Sequence, residues 1–255
     1  MRIGHFQFAP GLWTSFVTTG LLVLLLWLGF WQLDRADQKQ AILQQYTDRV
    51  KDKPVELNRD QQRSEKERML WRKAVLHGTY DSRYHFLLDN QVMDSQAGYF
   101  VYTPFQLDAE PVWVLVNRGW VRAGLDRRES PRFETPQGVL KIQGLIREPP
   151  RTGLLLGEEL FEQLAESSYR LQRLDIDRIA EFTRLDFLPY IIHLNADEPH
   201  GFAREWRMPG SGRERHLGYA FQWFALAATL LVIYLVVNLK RITRSPDSDT
   251  SANKE

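Results

Sequence analysis

The sequence predicts an α+β membrane protein, with two transmembrane helices bracketing a mainly antiparallel β domain of barrel or sandwich type that carries a few helices. Two observations lead there. No Asp, Glu, Lys or Arg occurs between Arg2 and Asp34 or from Leu217 to Leu239, so all 33 Lys+Arg and 32 Asp+Glu fall outside those stretches. Between them, short β-branched and aromatic runs alternate with turn residues, the pattern of an antiparallel sheet rather than a doubly wound fold. The charge balance narrows function. A formal net charge of +1 gives no basic field of the kind phosphate backbones select, which argues against nucleic acid as a partner.

Each uncharged stretch can span a bilayer. At a rise of about 1.5 Å per residue, the helix Leu217–Leu239 reaches roughly 35 Å, against a hydrocarbon core of roughly 30 Å. Trp27, Phe30 and Trp31 in the first stretch, and Tyr219, Phe221, Trp223 and Phe224 in the second, gather towards one end of each, where aromatic rings favour the interface. The first apolar run is too long for a signal peptide, and no small-x-small cleavage site precedes Asp34, so it is expected to remain as an anchor. It also lacks an Arg- and Ser-rich presequence, which points to a bacterial inner membrane rather than a mitochondrial precursor. Lys240, Arg241 and Arg244 directly follow the second span, and such short basic flanks stay cytoplasmic. The expected layout is therefore a cytoplasmic N-terminus over 1–10, a first transmembrane helix over 11–33, a periplasmic domain over 34–215, a second transmembrane helix over 216–239, and a disordered cytoplasmic tail over 240–255. The absence of cysteine removes disulfides, thiolate metal sites and thiol nucleophiles.

Within the central segment, Asp34–Val50 reads as a polar continuation of the first helix, with Ala41, Ile42, Tyr46 and Val50 at helical spacing. Lys51–Met69 is charge-rich, is broken by Pro54, and is expected to be irregular or a connecting helix. Strands are predicted over Leu70–Tyr80, Tyr84–Leu88 (ending at an Asp89-Asn90 turn), Tyr99–Leu107, Val112–Val121, Val139–Arg147 and Pro189–Leu194. Asp108–Pro111 reads as a hairpin turn. Glu158–Ser167 and Asp175–Arg184 read as short helices, the second with Asp175 as N-cap. Pro209–Gly212 reads as a linker.

Most chemical signatures are missing: no P-loop, no dinucleotide-binding glycine pattern, no nucleophile elbow and no H-E-x-x-H. His77, His85, His193 and His200 would need the fold to gather them before they could hold a metal, and their spacing gives no support for that. His216 is different, because it opens the second span. On a helix it shares a side with Tyr219, Ala220, Trp223 and Ala227, so an imidazole, a phenol, an indole and two small residues line one stripe. That stripe suits a flat apolar macrocycle, since imidazole ligates haem iron and rings stack on porphyrin. An interfacial histidine beside an ordinary aromatic belt reads the same residues without a ligand.

Several short motifs, in order, resemble the Surfeit-locus-one family (called Shy in yeast), membrane assembly factors for haem–copper cytochrome c oxidase. They are Leu28-Gly29-Phe30-Trp31-Gln32-Leu33-x-Arg35, Leu87-Leu88-Asp89-Asn90, Gly98-Tyr99-x-Val101-x-Thr103-Pro104-Phe105, Val116-Asn117-Arg118-Gly119-Trp120-Val121, and His216-Leu217-x-Tyr219-x-x-x-Trp223. The resemblance implies a role in maturing oxidase subunit I, including handling of haem a, with His216 as iron ligand and Trp223 as a nearby functional position. Members often carry an Asn shortly before that histidine, where this chain has Arg213-Glu214-Arg215. Arg118 reads in two ways: a guanidinium near haem propionates, or a strand arginine in local pairing beside a glycine bulge at Gly119. Arg35 reads as a lipid-head-group anchor or a propionate contact. Gly98-Tyr99 and Thr103-Pro104 read as turn and edge devices.

The expectation is thus a non-enzymatic chaperone that receives haem a transiently from its synthase and releases it to subunit I. Its site is expected at His216, Tyr219, Trp223 and Arg118, with membrane lipid as a partner and a homo-oligomer as an open option. The alternative is a scaffold that holds a subunit I intermediate and never binds haem. An enzyme is a third class, and nothing at catalytic spacing supports it.

Overall fold

The computed structural model describes residues 2–3, 6–8, 10–57, 66–108, 111–150, 161–206, 208 and 210–241. Its elements in chain order are β1 (Arg2–Ile3), β2 (Phe6–Phe8), α1 (Leu12–Val50), β3 (Val55–Glu56), α2 (Lys66–Met69), β4 (Lys73–Tyr80), β5 (His85–Met93), β6 (Gln96–Leu107), β7 (Trp113–Arg122), β8 (Leu140–Arg147), β9 (Glu162–Ala165), β10 (Ser168–Leu171), α3 (Ile176–Thr183), β11 (Phe187–Leu194), α4 (Arg213–Asn238) and β12 (Leu239–Arg241). The chain divides into two compact units, Met1–Gln44 with Met208–Glu255, and Gln45–Arg207. The division falls inside α1. That helix runs unbroken from the apolar stretch into Asp34–Val50, because nothing between them carries a breaker.

In the first unit, α1 and α4 are both long and apolar enough to cross a bilayer. The covered positions include Ser15, Thr18, Leu22, Leu25, Gly29, Gln32 and Ala36 on α1, and His216, Ala220, Trp223, Ala227, Leu230, Tyr234 and Asn238 on α4. Spacings of three and four residues on both helices mark one stripe each, turned towards the other helix. The contacts between them are specific. Ser15 Oγ and Tyr234 Oη lie 2.6 Å apart. The Phe30 and Phe224 rings meet edge to face at 5.3 Å. A Cβ added at Gly29 would come within 2.6 Å of the Phe224 ring, so glycine is what lets that ring sit against the helix. β1, β2 and β12 form a small antiparallel sheet that joins the chain before α1 to the chain after α4. The sequence reading placed no structure there, because strands of two or three residues carry no periodicity to read.

In the second unit, β4, β8, β11, β7 and β6 pair in that order and β6 returns to β4, closing a five-stranded barrel. Every junction is antiparallel except β11 with β7. The pleat turns alternate residues inward, and the interior is filled by Ala74, Leu76, Tyr80, Phe105, Leu107, Val114, Val116, Ile142, Ile146, Leu188, Tyr190, Ile192 and Leu194. Beyond the barrel, the first half of β6 pairs with β5, and β10 and β9 extend the sheet. α3 covers that extension through Ile179, against Phe86, Leu171 and Phe187. Asp175 caps α3 as expected, its carboxylate accepting from the Arg178 amide.

Several expectations change. β5 does not end at Asp89-Asn90; it passes them with a register shift, Asn90 taking φ 60°, and turns instead at Asp94 and Ser95. Glu162–Ala165, expected in a helix, is strand β9, because its pairing with β10 is decided by the sheet and not by local propensity. Lys51–Met69 contains β3 and α2, while 58–65 lie outside the described residues. Gly98-Tyr99 and Thr103-Pro104 are interior to β6 rather than at turns or edges. Pro104 falls where the outer neighbour of β6 changes from β5 to β4, so its missing N–H leaves no ladder bond broken. Of the expected hairpin turn, 109–110 lie outside the described residues, and Leu107 N donates to Val112 O across it. The tail from 242 onward also lies outside them.

Candidate functional site

α4 begins after Gly212, whose φ of 95° suits glycine, and places His216 in its first turn. The ring is only partly covered. Its Nδ1 donates to Oε1 of Gln32 on α1 at 2.8 Å. Oε1 of Gln32 is an acceptor, so Nδ1 carries the proton of this bond, and Nε2 has no hydrogen-bond partner among the described residues, the arrangement in which histidines ligate metals. Sequence reasoning passed over Gln32. The signal was present nonetheless: an amide inside an apolar span needs a partner, and the other span offers one.

The stripe predicted around His216 divides in the structure. Ala220 and Ala227 are 1% and 4% exposed and are spent on packing within the helix pair, not on close approach of a ligand. Tyr219 is 47% exposed and Trp223 is half-buried, so the aromatic part of the stripe is what a flat ligand could meet. Arg35 carries its guanidinium 5.7 Å from the Trp31 ring and donates to Gln38.

Arg118 belongs to the second unit and is 1% exposed. Asn117 accepts from the Gly119 amide at 3.0 Å, and Gly119, at φ 118°, makes the bulge that turns Arg118 under a covering loop. There its Nε and Nη2 donate to His200 O at 3.0 and 2.8 Å, Nη2 to Glu134 O at 2.8 Å and Nη1 to Thr135 Oγ1 at 3.2 Å. Rings of Tyr80, Phe133 and Phe202 surround the guanidinium. Local pairing is therefore the role its geometry fills, through the His200 and Glu134 carbonyls and the Thr135 hydroxyl.

Thr135 passes this network on. Having accepted from Arg118, its hydroxyl donates to Nε2 of His85 (3.2 Å), and Nδ1 of His85 donates to Thr103 Oγ1 (3.2 Å). Burial and then the nearby Arg118 charge hold the imidazole down to about 4, so it is neutral and the chain of bonds has one consistent direction. Burial pushes the Tyr80 phenol up, with Arg118 opposing. Asp81, although burial acts to raise it, is held below the usual carboxylate range by its bonds to Arg83. His77, His85, His193 and His200 do not assemble, and among the described residues no group of three or more His, Asp or Glu could hold a metal ion.

Two apolar helices on either side of a barrel-bearing domain in the sequence, with one imidazole at the head of the second helix, define a membrane-type α+β protein. The chain belongs to the SURF1 family, whose family model matches residues 20–228. Among similar proteins, a SURF1-like protein of Rickettsia bellii is 28% identical over 84% of this chain and 86% of its own length. One of Dictyostelium discoideum is 23% identical over 83% and 91%. The cytochrome oxidase assembly protein SHY1 of Saccharomyces cerevisiae is 26% identical over 52% of this chain and 35% of its own.

Proposed function

We propose that this chain serves the assembly of cytochrome oxidase as a non-catalytic, membrane-anchored factor, and that it binds haem a transiently and hands it to oxidase subunit I. Family membership, together with the activity printed in the yeast relative's name, supports the assembly role. The single observation that favours haem is the His216–Gln32 bond, which presents an oriented, unspent Nε2 beside Tyr219 and Trp223. These residues fit the group: His216 would hold the iron through an imidazole nitrogen, and Tyr219 and Trp223 would flank the macrocycle. The chain's part is to orient the imidazole through the Nδ1–Gln32 bond and offer an open aromatic flank from which the group can leave. Arg118 is left to the barrel.

In this reading the protein lies in a bacterial inner membrane with both termini cytoplasmic and residues 34–215 in the periplasm. Its partners are subunit I and the haem a synthase. The test is co-expression with haem a synthesis, followed by the absorption spectrum of the purified protein. His216→Ala is expected to lose the haem a bands and Gln32→Ala to weaken them. Full occupancy and an unchanged spectrum in His216→Ala would overturn the haem reading. Capture of subunit I by that variant without haem would then favour the scaffold.

A further inference from the structure

A cavity of about 770 Å³ opens in the second unit between the β5–β6 turn and the outer face of the barrel. Its size is that of small-molecule sites. Phe100, Arg147, His193 and Trp206 line it together with Asn90–Met93 at the end of β5 and Asp94 of the turn. Three aromatic groups stand together on one wall: Trp206 lies 4.2 Å from the His193 ring, tilted by 33°, and 5.7 Å from Phe100. Trp206 is pinned there by its indole N–H, which donates to Leu194 O at 2.9 Å.

One polar atom of the lining residues is left over: Nδ1 of His193 is shut off from solvent with no hydrogen-bond partner among the described residues. Arg147, on the neighbouring strand β8, stacks its guanidinium 4.1 Å from the Trp71 ring. Stacking uses the face of the guanidinium and leaves its in-plane N–H edge, and among the described residues no acceptor meets that edge. Burial first, and the Arg147 charge second, hold His193 down to about 3, so Arg147 is the one charged group of the floor. Asp94 and Glu205 are exposed at the rim, where water solvates them. Buried unsatisfied donors are costly, on the order of 1–3 kcal/mol each, and they recur where a ligand satisfies them.

We propose that this cavity binds a planar, largely apolar acid of small-molecule size, its ring seated against Trp206 and Phe100 and its carboxylate on the N–H edge of Arg147 beside His193. A carboxylate supplies the two acceptor atoms a guanidinium edge matches, and a conjugated ring matches the aromatic wall. All residues of this site lie within Gln45–Arg207, the unit that does not contain His216.

The full chain purified in detergent is titrated calorimetrically with 2-naphthoate and, separately, with the neutral analogue 2-naphthylmethanol. The expected result is one naphthoate site at least tenfold tighter than the alcohol, weakened at least tenfold by Arg147→Gln and unchanged by His216→Ala. Equal binding of acid and alcohol, or indifference to Arg147→Gln in a folded variant, overturns the proposal. Hydrogen exchange on the unmodified chain gives a readout independent of any variant. Saturating naphthoate is expected to slow exchange at 90–94 and 205–206, and protection confined to other segments overturns the assignment.

Discussion

Arg118 holds a full charge among neutral acceptors, and its donors tie β7 to Glu134, Thr135 and His200, residues far apart in sequence. Replacing it with Met orphans two carbonyls and empties a ring-lined slot. Arg118→Met is expected to lose about 2–4 kcal/mol in urea unfolding. The two buried histidines set a pH dependence. Folding holds His85 at about 4 and His193 at about 3, both below the ordinary 6.5. The unfolded chain therefore binds more protons between those values, and the stability this provides is complete above pH 6.5 and falls as pH drops. Each group contributes about 1.4 kcal/mol per pH unit, so unfolding at pH 5.5 is expected to need about 3 kcal/mol less than at pH 7. His85→Gln should remove about half of that slope. Asp81 runs in a lower range and does not enter this window. At this scale the place of His216 at the head of the second apolar helix was legible, because the uncharged stretch that follows it marks where that helix begins. Gln32, His85 and His193 were not, because their partners come from strands or helices that only the fold brings near.

Among the elements, the helix pair rests on Gly29. Gly29→Leu drives a side chain into the Phe224 ring and is expected to push the helices apart. The chain has no cysteine, so nitroxides placed at Val23→Cys and Leu231→Cys, both exposed positions, report the spacing directly by pulsed electron resonance; a longer, broader distance is expected, with Gly29→Ala in between. α3 offers a gain rather than a loss. Its C-cap, Arg184, sits at φ 57° and ψ 32°, where a side chain is strained and glycine is not. Arg184→Gly is expected to stabilise the domain by about 0.5–1 kcal/mol, read as a higher thermal midpoint. Strands β4, β6, β7, β8 and β11 were legible because alternation and β-branched content agree with the barrel's inward and outward faces. β9 and β10 were not. Each has four residues, and β10 runs parallel to β5, a pairing between segments about eighty residues apart that no local pattern records.

For the whole molecule, the separation into two uncharged stretches and a charged domain was readable from the sequence because a bilayer excludes ionised side chains whatever the fold between them. Barrel closure was not, since it rests on one short register, Gly78–Tyr80 of β4 against Phe105–Leu107 of β6. The proposed orientation predicts that a green fluorescent protein fused after Glu255 glows, whereas one fused after Gly124 and exported unfolded stays dark; the reverse pattern would reverse the topology. β11 has a consequence for synthesis. It is the last barrel strand to leave the ribosome, yet it fills the gap between β7 and β8, both made well before it. Until Leu194 has emerged, the nascent domain holds two unpaired strand edges beside an open apolar interior. That interval is when it is most exposed to mispairing, and when a holding chaperone would have most to protect.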